Sequence, residues 1–130
     1  MKLHQLNCIY IDSSDIDGLG VFTSEDITKG TIIAALPVVN LIYIDCDNSN
    51  MAKSGLLHVM PFPSIKEMTH VFTPLGYMAF LNNCAWGNGP RTPNVHWKIK
   101  NDIFIVKAYK NINQGSELTI DYDLNDDLDL

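Results

Sequence analysis

Three short stretches of this chain carry residue types that could do chemistry together. The first is Asp17-Gly18-Leu19-Gly20-Val21-Phe22, where two glycines bracket one residue. With no Cβ on either glycine, the backbone there can turn sharply and come close to another group. It is not the dinucleotide fingerprint, because Thr23 stands where that pattern needs its third glycine and no long helix follows. The second is the pair Asn82-Asn83. Each amide both donates and accepts, so the pair could hold backbone or the edge of a heteroaromatic ligand. The third is Tyr122, set between Asp121 and Asp123 at the end of a strand pattern. A tyrosine so placed can keep its ring in the core and offer its hydroxyl to a site. Taken singly, each stretch also has an ordinary explanation: turn glycines, helix-terminating asparagines, a half-buried strand tyrosine.

Metal and thiol chemistry find less support. Cys8, Cys46 and Cys84 are widely separated, odd in number and without a C-x-x-C pairing, which reads as free thiols in a reducing compartment. His4, His58, His70 and His96 have no spacing that builds a zinc site, so no metal is expected. A thiol hydrolase using Cys84 with His96 lacks any local nucleophile signature.

The elements that must position these residues are mostly strands. Cys8 to Ile11 suggests a first strand, with turn formers at Asp12 to Asp15. Asp26-Ile27-Thr28-Lys29-Gly30 forms a turn into a β-branched run from Thr31 to Val39, expected to stop near Pro37 and Asn40. The same local solution recurs at Asn111-Ile112-Asn113-Gln114-Gly115, which leads into a strand where Leu118 and Ile120 share one face and Glu117, Thr119 and Asp121 the other. From Asn40 to Thr73 the pattern loosens. Leu41 to Ile44 reads as a further strand, Asp45 to Asn50 as a polar loop, and Ser64 to His70 as one or two helical turns with Ser64 as N-cap and Glu67 at the capping-box position. Pro61 and Pro63 exclude a continuous helix there. Leu75, Met78 and Ala79 fall along one side of a short helix with Asn82 next in register. Asn94 to Ala108 is the clearest hairpin, with Val95, Trp97 and Ile99 alternating against His96 and Lys98 around an Asn101-Asp102 turn.

At 130 residues the chain fits a single domain, 1–130, that can bury a core without metal or disulfide support. A hydrophobic content of 46% beside 18% charged residues is ordinary globular material. The formal charge of −6 argues against a nucleic-acid partner and for a basic one. No apolar run reads as a signal peptide or a membrane span, so a cytoplasmic protein with no membrane partner is expected.

In combination these blocks resemble the SET-domain family of S-adenosylmethionine-dependent protein lysine methyltransferases. Gly18-Leu19-Gly20-Val21-Phe22 is similar to its first motif, and Phe80-Leu81-Asn82-Asn83-Cys84 with Pro93-Asn94 to its Asn-His-Ser…Pro-Asn motif. Gly115-Ser116-Glu117-Leu118-Thr119-Ile120-Asp121-Tyr122 resembles the closing Gly-Glu-Glu-Leu-Thr…Asp-Tyr motif. The likeness spans residues 9–123, leaving 40–73 as a variable insert and 124–130 as an acidic tail; Leu75-Gly76-Tyr77 is similar to compact viral and bacterial members. It implies a mainly β fold of several small antiparallel sheets with short helices and a C-terminal pseudoknot. It further implies Tyr122 as the catalytic tyrosine, and cofactor contacts from Asp17, Gly18, Leu19, Gly20, Asn82 and Asn83, with Tyr77 as a further pocket candidate. Two positions depart from the family: Asn83 stands where His is usual, and the spacing from Cys84 to Pro93 is longer, with Trp86 and Arg91 inside the loop. They motivate a second reading, a SET-fold module that binds a basic peptide with weak or no transfer. The lysine channel would be completed by the Leu124 to Leu130 tail or by a second subunit in a homodimer.

Overall fold

The computed structural model describes residues 2–42, 60–61, 70–74 and 76–121. Among them ten strands run in order: β1 (His4–Gln5), β2 (Ile9–Ser13), β3 (Leu19–Thr23), β4 (Ile32–Ile42), β5 (Met60–Pro61), β6 (His70–Pro74), β7 (Asn82–Asn83), β8 (Val95–Lys100), β9 (Ile103–Ala108) and β10 (Glu117–Ile120). A 3-10 helix, Gly76–Phe80, precedes β7. One sheet has the order β5-β6-β4-β9-β8 with β1 also on β4, and the other β2-β3-β10-β7. The fold is thus mainly β in small sheets, antiparallel except where β10 runs parallel to β7. No helix among the described residues is long and apolar enough to cross a membrane. The polar loop expected at Asp45 to Asn50 lies outside the described residues, as does the helical segment expected from Ser64 except for His70, which belongs to β6.

The β8–β9 hairpin follows its period-two pattern: Val95 and Trp97 are fully buried while His96 and Lys98 are half-buried. Lys100 pairs with Ile103, so only two residues turn the chain, and both have positive φ, 52° at Asn101 and 61° at Asp102. That is the mirror-image turn whose twist matches the flanking strands. β4, by contrast, corrects an expectation. It does not stop near Pro37, and Leu41 and Ile42 continue the same strand. The reason is a change of neighbour: β1 pairs only with Ala34 and Ala35, β6 begins opposite Val38, and Pro37 lies between them. A missing N–H there breaks no ladder bond on that edge, while Val38 N–H donates to Asp102 O at 3.1 Å.

The two similarly made turns pair with each other. Ile27 and Ile112 exchange both backbone hydrogen bonds at 2.8 Å. Asp26 Oδ1 accepts from Gln114 N–H, and Asn111 Oδ1 accepts from Lys29 N–H, each at 2.8 Å. Gly30 N–H reaches Ala108 O (2.9 Å) and Gly115 N–H reaches Thr23 O (2.6 Å), in matching positions. The strands exchange as well: β4, after the first turn, pairs with β9, and β10, after the second, pairs with β3. The core between the sheets holds Trp97, Phe104, Ile33, Met78, Leu81, Leu118, Ile120 and Val21, all fully buried. This exchange carries β10 into the interior of the four-stranded sheet, where the site forms.

Candidate functional site

The first wall of the site is the β2–β3 turn. Ser14 N–H donates to Gly18 O at 2.9 Å, and Ser14 Oγ accepts Ile16 N–H at 2.9 Å. Gly18 closes the turn with a φ of 46°, a left-handed conformation that a side chain would strain. Gly20 is needed for space: a Cβ there would lie 2.7 Å from Glu117 Cδ and closer still to its Oε2. The two glycines singled out by the sequence therefore answer different constraints. One permits the turn, and the other lets a carboxylate lie against β3.

The second wall is β7. The expected short helix is the 3-10 helix, which ends at Phe80; Asn82 and Asn83 do not extend its register but form a two-residue strand beside β10. Thr119 pairs with Asn82 and Ile120 with Asn83, and Cys84 N–H donates to Ile120 O at 2.7 Å. Backbone pairing with the last strand outweighs helix continuation here.

Asn82 is completely buried. Its Nδ2 lies 3.0 Å from Asp17 O, 3.1 Å from Leu19 O, 2.8 Å from Glu117 Oε2 and 3.1 Å from Ser14 Oγ. Two of these are carbonyls and one a carboxylate oxygen, so the amide nitrogen must face them. Its Oδ1 then faces the other way, and it is buried without a hydrogen-bond partner. A buried amide oxygen left unpaired costs about 1–3 kcal/mol, and such an atom calls for a donor. Thr119 Oγ1 is the other such atom among the described residues.

Asn83 uses its side chain locally. Its Oδ1 accepts Ala85 N–H at 3.0 Å and its carbonyl accepts Trp86 N–H at 3.1 Å, which starts the loop that follows. That loop is braced from within: Arg91 N–H donates to Cys84 O at 2.9 Å, and its guanidinium donates to Ala85 O and, at 2.8 Å, to Gly87 O. Gly87 lies so near the first turn that a Cβ would come 2.7 Å from Ile16 O. The added residues thus form an ordered flap on the Ser14–Gly18 turn.

Glu117, Ser14 and Asn94 are the site residues the sequence reading did not assign. Glu117 Oε1 accepts from Ser14 Oγ at 2.7 Å, a contact between residues 103 positions apart that no local pattern could reveal. Asn94 acts as a substitute strand partner: its Oδ1 accepts Thr119 N–H and its Nδ2 donates to Glu117 O, both at 2.8 Å. Its place in the Pro93-Asn94 motif was the available signal. Tyr77 is 43% exposed on the 3-10 helix and is not a packed core aromatic. Tyr122 lies outside the described residues. The chain leading to it is fixed, since Trp97 Nε1 donates to Asp121 O at 2.8 Å.

Cys84 is buried, and burial followed by the nearby Asp121 charge pushes its thiol above the ordinary value, with its own backbone and Arg91 opposing. A nucleophilic thiol needs the opposite shift, so the Cys84–His96 hydrolase reading has no support. Among the described residues no three His, Cys, Asp or Glu side chains converge as metal ligands would.

The geometry brings the Gly18 turn, Asn82 and β10 together, and the comparisons with known proteins match that span. No curated protein matches. Among solved structures, the chain is similar to a Plasmodium falciparum protein described as a candidate histone methyltransferase, with a TM-score of 0.61 and 29% identity over 90% of this chain and 94% of that one. The SET domain family model matches residues 18–123, from the first glycine turn through Asn82 to the residue after Tyr122, and the chain therefore belongs to the SET-domain methyltransferase family.

Proposed function

We propose that this chain transfers a methyl group from S-adenosylmethionine to the side-chain amine of a lysine in a protein substrate. The observation that carries the reading is the buried, unpaired Asn82 Oδ1, locked beside the Gly18–Gly20 turn by bonds to its own nitrogen. It is a fixed acceptor suited to the ammonium at the amino-acid end of the cofactor. When bound, the cofactor supplies an electrophilic methyl group on a positively charged sulfur. Asn82 would hold the ammonium, the Asp17–Gly20 backbone would line the same end, and Asn83 would meet the adenine through its backbone, because its side-chain oxygen already bonds Ala85. Tyr122 is assigned the catalytic role by the family motif, its hydroxyl orienting the reacting amine.

The lysine amine must be neutral to react. Its ordinary pKa of about 10.4 falls when it is desolvated and placed near a positive charge, so the channel needs no strong base. Catalysis then rests mainly on alignment. The net charge of −6 favours a basic peptide, which would add as an extended strand along a sheet edge. The tail from Leu124 or a second subunit would cover the channel, and the free thiols of Cys8 and Cys84 suit a reducing, cytoplasmic setting.

The test is to incubate the purified chain with labelled cofactor and basic proteins, then map modified lysines by mass spectrometry. Methylated lysine is the expected result. Cofactor binding with no transfer to any protein would favour the peptide-binding module instead.

A further inference from the structure

We infer that Glu117 is a positioning residue that makes the site selective for the cationic amino group of its ligand. This deepens the reading above and rests on it. Glu117 is half-buried on β10, and both its oxygens are met by neutral donors: Ser14 Oγ at 2.7 Å on Oε1 and Asn82 Nδ2 at 2.8 Å on Oε2. Two features show that the arrangement is built in. Gly20 leaves the space the carboxylate occupies, and Ser14 Oγ also accepts Ile16 N–H at 2.9 Å, so the hydroxyl that serves Glu117 also shapes the glycine turn.

The consequence runs through the Asn82 amide. A carboxylate accepting from the amide nitrogen draws positive charge toward that nitrogen and leaves the amide oxygen more negative, because bonds in a chain polarise one another. The oxygen so enriched is Oδ1, buried and unpaired. A fixed negative charge one amide away thus favours a positively charged donor at Oδ1 over a neutral one, and the effect is large where water is excluded. Ser14 holds the carboxylate in place from the other side.

The test compares two ligands on two proteins by calorimetry: S-adenosylhomocysteine, and the same molecule with its α-amino group removed. Glu117→Gln keeps the shape and an acceptor for Asn82 but removes the charge. It is expected to weaken S-adenosylhomocysteine binding about tenfold or more and leave binding of the deaminated analogue unchanged or stronger. Equal loss for both ligands would mean that Glu117 only supports the fold, and no loss for either would remove it from recognition; both outcomes overturn the inference. Wild-type protein that fails to bind S-adenosylhomocysteine would overturn the functional reading as well. Should Glu117→Gln not fold, Ser14→Ala removes one of the two donors and is expected to show a smaller loss with the same ligand preference; equal loss for both ligands counts against the inference again.

Discussion

In the proposed function Asn82 would hold the cofactor and Tyr122 would orient the reacting amine, and the two roles are separable by substitution. Tyr122→Phe removes one hydroxyl and keeps the ring, so methyl transfer should fall severely, or the number of methyl groups added should change, while S-adenosylhomocysteine affinity stays near wild type. Unchanged transfer kinetics would remove Tyr122 from the catalytic role. A second residue-scale expectation concerns His96, which stacks on Tyr109 with ring centroids 3.8 Å apart. Burial disfavours its charged form and holds its pKa below the ordinary 6.5. Above that value the imidazole is neutral in folded and unfolded chains alike. As pH falls below it, the unfolded chain takes up a proton the folded one resists, so stability is lost progressively down to the folded pKa. The urea midpoint should therefore drop as pH is lowered below about 6.5, and His96→Phe, which keeps an aromatic ring on Tyr109, should flatten part of that drop. Identical slopes in the two proteins would show that other groups carry the pH dependence.

At the scale of elements, the paired turns explain what could and could not be read from the chain. Each announces itself locally, as a polar residue, an isoleucine, two polar residues and a glycine, and so does the Asn101-Asp102 hairpin. Their mutual pairing does not, because the Asp26 to Gln114 and Asn111 to Lys29 bonds join residues 88 and 82 positions apart. The same reason hid the true extent of β4, whose passage through Pro37 depends on which neighbours end and begin there, and the strand state of Asn82-Asn83, which depends on β10. Gly115 has a φ of 83° and open space around its Cα, so the cost of adding a side chain there is purely conformational. Gly115→Ala should destabilise the fold by roughly 1–2 kcal/mol, seen as a lower denaturation midpoint with an unchanged denaturant slope. A changed slope would mean that the paired turns had come apart and altered the folded state itself.

For the molecule as a whole, the exchange of β4 and β10 between the two hairpins makes the site a property of the entire fold. Ser14 comes from the first hairpin, Asn82 from the segment after the 3-10 helix, and Glu117 from the last strand, and the three meet only when β10 is inserted between β3 and β7. The separated motifs were legible because each keeps a recognisable local form. The Ser14–Glu117 latch was not, since it exists only in the assembled chain. A ligand bridging these segments binds the folded state alone, so its free energy must appear as stability. At S-adenosylhomocysteine concentrations about 100 times the dissociation constant the gain is about 2.7 kcal/mol, which for a domain of this size corresponds to a rise in melting temperature of roughly 10 °C. Glu117→Gln should show a markedly smaller rise at the same concentration. A melting temperature indifferent to the ligand at saturation, established independently by calorimetry, would mean that the ligand binds the unfolded chain equally well and that the site where β3, β7 and β10 meet is not where it sits.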